Sequence, residues 1–470
     1  MLKKIWAVFT ILSVISGIFP ISVYAGDNYN PGVSINVNGR RIHTDSPPII
    51  INDRTLVPVR GIFEQLGAQV DWDAATGKVS VAYGNTSISL QIGNPKAEVN
   101  GAGKTLDVAP RIYKDRTMIP LRFISESMGM VVGWVPVVKV ATITEPDYFD
   151  KLPAKTVLGY TTNDYVGDSA SYNSLVSNAG DINAIATFSY GFGYDGKLVR
   201  MGEPQSDSVE FANSNNIKPL MLVHNLVNGN FDKNLSHAVL SNAAKRAALE
   251  DDILMALGRY EYAGVNIDIE NIPWYDRQNY SDFVKELHDK LKTCGFLTTL
   301  SIPAKTSDDL QNGWNGAFDY SALGRYADRI LLMTYDEHYF GSSPGPVASL
   351  PWVENVVKYA SLNMPSNKIL LGIPGYGYDW SSEGTRALPL KTIENMVSQQ
   401  GIQVFTDAVS QTPHFDYYNN GILHEVWYED SDSILKKLDL VGGYNLGGIG
   451  IWRLGYDNGS FWAAIRQKLG

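Results

Sequence analysis

The feature that most constrains the fold is an alternation of apolar and helical segments that runs from Val157 onward. The apolar segments are short and rich in Ile, Leu and Val, and the segments between them have the spacing of amphipathic helices. Eight such units in about 310 residues predict an α/β fold, the (β/α)8 or TIM barrel. The predicted strands are VLGYTT, INAIATFSY, KPLMLVHN, AGVNIDIE, LTTLSIP, RILLMTY, KILLGIPGYGY and GGIGIW.

The spacing of these segments is uneven at one place. Between the seventh and eighth strands, the stretch from Asp379 to about Gly447 contains no barrel strand. A connection of this length is unusual in a compact domain unless it forms structure of its own. We therefore predict an inserted subdomain between strands seven and eight that helps to form the wall of a cleft.

An internal repeat precedes the barrel. DRTLVPVRGIFEQLGAQVDWD begins at Asp53 and returns as DRTMIPLRFISESMGMVVGWV at Asp115, an offset of 62 residues. Val-Asn-Gly precedes each copy, and Asn-Gly between apolar segments is typical of a β-hairpin. The repeats predict a small α+β domain over residues 34–144. A charged, Pro-containing linker, residues 145–155, separates it from the barrel at 156–470.

Residues 1–25 have the pattern of a secretion signal. Lys3 and Lys4 precede an apolar run that ends in Val-Tyr-Ala, which is typical of a cleavage site. The run is almost long enough to span a membrane, so an uncleaved anchor is the alternative. Cleavage would give a secreted protein without a membrane segment, and we expect it to be a monomer.

Cysteine content and charge limit the protein further. Cys294 is the only cysteine, so the chain has no internal disulfide, and its place before an apolar run predicts a buried, unreactive thiol. A net charge of −10 argues against nucleic acid as a partner. Within this acidic chain, residues 34–144 carry 12 basic and 9 acidic side chains and are mildly basic.

The fourth predicted strand carries polar residues in strict alternation. Asn266, Asp268 and Glu270 are separated by Ile267 and Ile269, and alternate residues of a strand share a face. The polar residues are expected to point into the barrel near its C-terminal edge, where barrel active sites lie. Two carboxyl groups this close do not both ionise readily, so one stays protonated, as a general acid requires. A structural polar layer is the alternative.

This segment resembles the signature of glycoside hydrolase family 18, in which the fourth strand ends in Asp-x-Asp-x-Glu. Met333-Thr334-Tyr335-Asp336 is similar to the family's sixth-strand Met-x-Tyr-Asp, and Trp452 matches its eighth-strand tryptophan. The resemblance covers residues 157–470. It implies an enzyme that cleaves amino-sugar polymers and uses neither a metal nor a cofactor.

The resemblance also implies a role for each matched residue. Glu270 protonates the glycosidic oxygen and later acts as base, and the substrate's own acetamido carbonyl attacks in place of a protein carboxylate. Asp268 orients that acetamido group, and the Tyr335 hydroxyl holds its oxygen. The other matched positions are expected to bind substrate: Asn266, Met333, Asp336 and Trp452.

The sequence departs from the family pattern at two places. Ala263 and Asn266 stand where the fuller motif has acids, and an amide can hydrogen-bond a neighbouring carboxyl but cannot share its proton. The third strand reads KPLMLVHN in place of the Ser-x-Gly-Gly of many chitinases. Its last residues, His224 and Asn225, and the segment 424–455 resemble cell-wall and spore-cortex N-acetylglucosaminidases instead.

Aromatic side chains near strand ends suit stacking on sugar rings. Tyr190, Tyr378 and Trp427 are therefore predicted to bind substrate together with Asn225, and packing within the barrel or the insert is the alternative. His224 is expected at the cleft edge without a catalytic role, because the mechanism already has its acid.

These features predict a secreted glycosidase that cleaves β-1,4 bonds after N-acetylglucosamine in peptidoglycan or spore cortex. The alternatives are a chitinase acting on chitin oligosaccharides and a non-catalytic sugar-binding barrel. Residues 34–144 resemble the copper amine oxidase N-terminal-like domain, although His43 is the only histidine there and cysteine is absent, so these residues do not suggest copper. The domain is expected either to contact wall polymers or to act as a spacer.

Overall fold

The computed structural model describes residues 18–20, 32–202 and 204–470. Most of the predicted signal peptide, residues 1–25, lies outside these ranges. The short strand Ile18–Pro20 pairs antiparallel with Leu198–Met201. Within the described ranges, no helix is both long enough and apolar enough to cross a membrane.

The two repeats form one domain. The strands Arg54–Pro58 and Arg116–Pro120 occupy equivalent places in the repeats and pair antiparallel, with Val57 opposite its own counterpart Ile119. This pairing relates the repeats by an approximate two-fold axis, and both contribute to one apolar core. The other strands are Ser34–Val37, Arg40–Ile42, Ile49–Ile51, Gln69–Asp73, Lys78–Tyr83, Thr86–Gln91, Lys96–Val99, Ala102–Thr105, Arg111–Tyr113, Val131–Val135 and Val140–Thr144; the helices are Val59–Phe63 and Leu121–Ser127.

Eight parallel strands follow and close into a barrel, as predicted. Each strand pairs with its neighbours in chain order, and the first strand pairs with the eighth, which closes the ring. The strands are Thr156–Thr161, Ala184–Phe192, Lys218–His224, Gly264–Asp268, Leu297–Pro303, Arg329–Met333, Ile369–Pro374 and Gly448–Trp452. The enclosing helices are Ala170–Ser177, Ser206–Ser214, Lys233–Leu240, Ala243–Tyr260, Arg277–Lys292, Tyr320–Tyr326, Leu350–Asn363, Ser431–Gly443 and Gly459–Leu469.

The connection after the seventh strand contains the predicted insertion. It is a five-stranded antiparallel sheet built from Tyr376–Ser381, Gly384–Pro389, Phe405–Thr406, Pro413–Asn419 and Ile422–Trp427, with the helix Leu390–Gln400 beside it. The buried Asp379 carboxylate holds the sheet together, because it accepts hydrogen bonds from Arg386 (2.9 Å) and Tyr417 (2.7 Å) and bonds His424 (2.8 Å). The insertion stands at the C-terminal side of the barrel strands, where it walls the cleft.

Alternation within the strands divides the side chains between two cores. On the fourth strand, Val265 and Ile267 face outward and join the apolar core between the barrel and its helices, as does Ile269 just beyond the strand. Inward-facing residues such as Leu158 and Leu220 form a separate cluster inside the barrel. The polar residues of the fourth strand share this inward face, which places them where the strand pattern predicts.

The segment 145–155, expected to be a linker, is packed against the barrel. Tyr148 is 6% exposed and joins the cluster inside the barrel with Phe149 and Leu152. The Lys218 ammonium donates to the Tyr148 hydroxyl at 3.2 Å and lies 4.8 Å from the centre of its ring. The segment therefore closes the N-terminal end of the barrel, opposite the end where active sites of this fold lie.

The repeat domain packs against the same end of the barrel. Val135, Val138 and Val140 belong to the apolar core that surrounds the barrel strands. The Arg41 guanidinium donates to the carbonyl of Gly258, at the C-terminal end of a barrel helix, at 3.0 Å. Cys294 lies in this interface and is buried, as predicted, and burial raises the pKa of its thiol.

Close packing at this interface predicts that the repeat domain stabilises the barrel. A β-carbon at Gly133 would lie 2.5 Å from the Thr293 carbonyl oxygen, across the interface. Gly133→Ala should therefore lower the free energy of unfolding by about 1–3 kcal/mol, because overpacking displaces well-packed neighbours. Urea unfolding followed by tryptophan fluorescence measures this change. Gly103→Ala is the control, since its β-carbon meets nothing within 4 Å. If both substitutions lowered the free energy of unfolding equally, this would contradict the prediction that the repeat domain stabilises the barrel.

Candidate active site

A cavity of about 420 Å³ opens at the C-terminal ends of the barrel strands. Its walls come from the strand ends, from the loops that follow them and from the insertion. Seven of the eleven site residues predicted from the sequence line it: Asp268, Glu270, Met333, Tyr335, Asp336, Tyr378 and Trp452. The structure thus brings together residues from the fourth, sixth and eighth strands and from the insertion.

Asp268 and Glu270 are both largely buried, at 5% and 8% exposure. Burial raises the pKa of Asp268, and it raises that of Glu270 well above its usual range. The negative charges of Asp268 and Asp336 raise the pKa of Glu270 further. The two carboxyl groups therefore retain a proton near neutral pH, because a second negative charge in this enclosed space is costly.

Asp268 also has an unused hydrogen-bond acceptor. Its Oδ1 atom is buried and has no hydrogen-bond partner among the residues that the structure describes. Buried polar atoms in proteins are nearly always hydrogen-bonded, and leaving one unsatisfied costs about 1–3 kcal/mol. A buried carboxyl oxygen without a donor does not stabilise the charged form, which agrees with the raised pKa of Asp268.

Asn225 fixes the backbone of Glu270 from both sides. Its Nδ2 donates to the Glu270 carbonyl at 2.8 Å, and its Oδ1 accepts from the Glu270 N–H at 2.9 Å. Asn225 was predicted to bind substrate, but it does not line the cavity. The structure gives it a positioning role instead, because its amide is used in holding Glu270.

The loop after the sixth strand places Tyr335 and Asp336 in the cavity. Asp336 has a left-handed backbone conformation, with φ of 61°, and its Oδ1 accepts hydrogen bonds from the hydroxyls of Tyr376 and Tyr378. Both tyrosines come from the first strand of the insertion. Burial raises the pKa of Tyr335 well above its usual range, so its hydroxyl remains a hydrogen-bond donor at neutral pH.

Trp452 provides a flat apolar surface at the cavity floor. Its ring lies 5.6 Å from that of Tyr160 and 5.9 Å from that of Phe188, centre to centre, and both neighbours also line the cavity. Met333 belongs to the same apolar surface. A floor of this kind suits the apolar face of a pyranose ring.

Asn266 lies beneath the cavity and not in its wall. It is fully buried, its Nδ2 donates to Thr299 at 3.0 Å, and its Oδ1 accepts from Ser301 at 2.9 Å. No hydrogen bond joins Asn266 to Asp268; its amide bonds Thr299 and Ser301 instead. Asn266 therefore supports the barrel interior and cannot reach a molecule in the cavity.

Tyr190 lies outside the cavity because of an irregularity in the second strand. The pairing with the third strand shifts between Phe188 and Tyr190, which is a β-bulge. A one-residue shift moves a side chain to the opposite face of a strand. Tyr190 therefore packs outside the barrel, against Tyr260 and Tyr262, while Phe188 faces the cavity.

Trp427 also lies outside the cavity. It lines a neighbouring, more open hollow of about 530 Å³, which contains none of the acids of the fourth strand and meets the cavity at Trp352. The Trp427 ring stacks on His414 at 4.3 Å within the insertion. The ring thus takes part in packing within the insert, the alternative considered from the sequence, and it also lines the hollow, so substrate binding by Trp427 stays a prediction.

His224 is buried behind the cavity wall and is neutral. Its ring stacks on Phe188 at 4.3 Å, and its Nδ1 accepts from the Leu226 N–H at 3.0 Å. Burial lowers the pKa of His224 to about 3. It is therefore not in the positively charged imidazolium form near neutral pH, in agreement with the expectation that it is not the acid.

Ser301 and a group of four polar residues in the cavity wall were not recognised from the sequence. Thr162 and Asp164 follow the first strand, and Arg453 and Tyr456 follow the eighth. These two strands are neighbours in the closed barrel, so the four residues meet. The only feature of the sequence that could have indicated a cavity residue here was the position of Arg453 directly after Trp452.

The described residues of the repeat domain and of the barrel do not fit a metal site. Within the described ranges, no group of three or more His, Cys, Asp or Glu side chains could hold a metal ion. In the repeat domain, His43 is the only histidine, and there is no cysteine. The thiolate or imidazole set that copper prefers is therefore not available there.

A (β/α)8 barrel with a buried, proton-retaining carboxyl pair beside an aromatic floor is the arrangement of a glycosidase. The chain belongs to the glycosyl hydrolases family 18, which matches residues 157–457. It is a glycosidase of the chitinase and cortex-lytic type. The copper amine oxidase N-terminal domain matches residues 36–143, so this domain precedes the catalytic barrel.

The relatives include both cortex-lytic enzymes and chitinases. A cortical fragment-lytic enzyme of Bacillus anthracis is 30% identical over 307 residues, which cover 63% of this chain and 71% of that protein. The chitinase from Chromobacterium violaceum ATCC 12472 is 32% identical with a TM-score of 0.63, covering 67% of this chain and 99% of that one. The Bacillus cereus spore cortex-lytic enzyme SleL is 25% identical with a TM-score of 0.63, covering 67% and 74%.

Proposed function

We propose that this glycosidase is secreted and cleaves β-1,4 bonds after N-acetylglucosamine in peptidoglycan or spore cortex, with retention of configuration. The observation that carries the proposal is the buried pair Asp268 and Glu270, of which Glu270 holds a proton and Asp268 has a free acceptor oxygen. Tyr335 shares the cavity with this pair. This set matches the needs of a reaction in which the substrate's acetamido group is the nucleophile.

In the proposed first step, Glu270 donates its proton to the glycosidic oxygen as the bond breaks. The acetamido carbonyl oxygen attacks the anomeric carbon from the opposite face and closes an oxazolinium ring. Asp268, which lines the cavity, accepts a hydrogen bond from the acetamido N–H and stabilises the positive charge on the ring. The Tyr335 hydroxyl donates to the acetamido oxygen and directs it toward the anomeric carbon.

In the second step, a water molecule opens the oxazolinium ring. Glu270, now ionised, accepts a proton from this water, so the acid and the base are the same group. Two displacements at the anomeric carbon restore the original configuration. Asn225 keeps Glu270 in place through both steps, because it holds the backbone N–H and carbonyl of that residue.

Peptidoglycan is favoured as the substrate by the third strand and by the relatives. His224, at the end of this strand, and Asn225, just after it, resemble the cell-wall and spore-cortex N-acetylglucosaminidases. The B. anthracis relative is a cortical fragment-lytic enzyme. Chitin is the second candidate, because the C. violaceum chitinase covers 67% of the chain at 32% identity, as large a match as that of the cortex-lytic relative. Lys3, Lys4 and the apolar run after them support secretion.

Initial rates on matched substrates test the proposal. Purified cortex peptidoglycan and chitin oligosaccharides are incubated with equal amounts of enzyme, and new reducing ends are counted. We expect faster release from peptidoglycan. Cleavage of chitin with none of peptidoglycan would reverse the choice of substrate, and no cleavage of either would favour a sugar-binding barrel.

The pKa shift of Glu270 gives a pH prediction. The protonated form is the active one, so kcat/KM should fall as pH rises through the raised pKa of Glu270. Asp336→Asn removes a negative charge that raises this pKa, so the alkaline limb should move to lower pH. A profile of kcat/KM from acid to alkaline pH measures the shift. An unchanged limb, or one displaced to higher pH, would contradict the proposed role of Asp336.

A further inference from the structure

The hollow beside the active-site cavity has no role in the proposed chemistry. It measures about 530 Å³ and meets the cavity at Trp352, which lines both spaces. Thr306 after the fifth strand, Glu337 after the sixth, and Asp407 and Trp427 from the insertion contribute to its walls. A branched molecule in the cavity can therefore place one branch in the hollow.

The charged side chains of the hollow are acidic. Glu337 and Asp407 line it, and none of the described residues that line it is basic. Glu337 accepts a hydrogen bond from the Ser349 N–H at 2.7 Å, and Asp407 accepts one from the Ser410 N–H at 2.6 Å. The bond from Ser410 holds the pKa of Asp407 below its usual range. Two carboxylates without a basic neighbour in the lining make the hollow complementary to a positively charged group.

Aromatic rings give the hollow an apolar wall. The Trp427 ring stacks on His414 at 4.3 Å, with 14° between the planes, and its Nε1 donates to Glu425 at 2.8 Å, so its orientation is fixed. Trp352 adds a second indole ring. Carboxylates beside aromatic rings suit a methylene chain that ends in an ammonium group, because the chain packs on the rings while the charge meets the carboxylates.

The position of the hollow relates it to the sugar that leaves. Glu270 follows the fourth strand and protonates the oxygen of the cleaved bond, while Trp452 of the eighth strand lies opposite in the ring, beneath the other sugar. The leaving sugar is joined through that oxygen and lies on the side of the fourth strand. Thr306 and Glu337 follow the fifth and sixth strands, the next two in the ring, so the hollow flanks the leaving sugar.

Peptidoglycan and chitin differ in what this leaving sugar carries. In peptidoglycan, the sugar after N-acetylglucosamine is muramic acid, whose 3-oxygen bears a lactyl group joined to a short peptide with a diamino acid at its third position. Three extended residues span about 10 Å, so the free amine of the diamino acid can reach a hollow that adjoins the cavity. The leaving sugar of chitin carries no such branch.

We propose that the hollow binds the peptide of the leaving muramic acid, with the amine of the diamino acid at Glu337 and Asp407 and its methylene chain against Trp427. This inference rests on the proposed function and deepens it, because it makes the peptide part of what the enzyme recognises. The peptide is remote from the reacting atoms, so its removal should raise KM more than it lowers kcat.

The test compares three forms of one substrate, a tetrasaccharide purified from wall peptidoglycan after muramidase digestion. The first form keeps its peptides, the second has its peptide amines acetylated, and the third has lost its peptides to an amidase. For the wild-type protein, kcat/KM on the first form should be at least tenfold above the values on the other two. Acetylation removes the positive charge and leaves the enzyme unchanged, so this comparison does not depend on the folding of a variant.

The double variant Glu337→Gln/Asp407→Asn removes both charges and keeps a hydrogen-bond acceptor on each side chain. Its kcat/KM on the peptide-bearing form should fall at least tenfold more than its value on the bare form. Glu383→Gln/Asp416→Asn is the matched control, since both residues are exposed on the insertion and line neither space. Equal losses on all three forms in the first variant, or a wild-type protein that cleaves all three equally well, would overturn the peptide site.

A binding measurement separates this inference from the proposed function. The Glu270→Gln protein is titrated calorimetrically with the peptide-bearing and the bare tetrasaccharide, and we expect the peptide-bearing form to bind at least tenfold more tightly. That result together with a wild-type protein that cleaves none of the three forms would support the peptide site and count against the proposed reaction. Cleavage of the tetrasaccharide with equal binding of the two forms would overturn the peptide site alone.

Discussion

Replacing Glu270 with glutamine is expected to lower kcat by about 10³-fold, within the 10²–10⁴-fold range of general acid–base catalysis. Glutamine has the same shape but no proton to donate to the glycosidic oxygen. The fold should persist, because the substitution removes a group whose charged form is disfavoured by burial. The Asn225 contacts should also persist, since they involve only the backbone of residue 270.

Three measurements check this prediction. Turnover of a chromogenic N-acetylglucosamine glycoside gives kcat, thermal unfolding tests the fold, and calorimetry tests sugar binding. Glu286→Gln is the matched control, because Glu286 pairs with Arg246 on a helix outside the cavity. Glu270→Gln with wild-type turnover would show that another group is the acid, whereas loss of binding together with activity would indicate a damaged site.

Asp268→Asn is expected to lower kcat by about 10²–10³-fold, the usual cost of removing one group that stabilises charge in the transition state. The asparagine side chain is neutral, so it cannot stabilise the positive oxazolinium ring. Its amide also need not present an acceptor to the acetamido N–H. The substrate should bind with little change, so the loss should be in kcat and not in KM.

A second substrate separates this role from a merely structural one. A 4-nitrophenyl β-glucoside has a hydroxyl in place of the acetamido group and lacks the internal nucleophile. The wild-type protein should cleave it at least 10³-fold more slowly than the N-acetylglucosamine glycoside, and Asp268→Asn should add little to that loss. Rapid cleavage of the glucoside by the wild type would mean that a protein carboxylate is the nucleophile.

The barrel could be predicted because each of its strands is a short buried run between turns. Alternation in the fourth strand also indicated that Asp268 and Glu270 share a face, since a regular strand leaves no other arrangement for residues two apart. The family resemblance added Tyr335 and Trp452 from other strands. These residues are far apart in sequence and meet only because the strand ends form a ring.

The residues that the sequence could not place depend on irregular local structure or on partners distant in sequence. A bulge turned Tyr190 away from the cavity, and nothing in its immediate sequence marks that shift. Asn266 is occupied by Thr299 and Ser301, which follow more than 30 residues later. The ion pair of Asp164 and Arg453 joins two loops at opposite ends of the barrel sequence, so its place in the cavity wall required the structure.

The position of the repeat domain against the barrel could not be predicted from the sequence either. Its fold followed from the 62-residue offset, but its docking did not, because the contacts of Gly133 and Val138 with the barrel depend on surface shape. Since the domain packs at the N-terminal end of the barrel, it lies on the side opposite the cavity. A polymer contact through this domain would leave the catalytic cavity open to the glycan.

The most direct measurement is the identity of the new reducing ends in a peptidoglycan digest. Purified cortex or wall peptidoglycan is digested with the full-length protein, the products are reduced with borohydride, and the terminal sugar alcohols are identified by mass spectrometry. We predict N-acetylglucosaminitol, because the proposed reaction breaks the bond that follows N-acetylglucosamine. A digest that ends only in N-acetylmuramitol, or one that releases no fragments, would contradict the assignment.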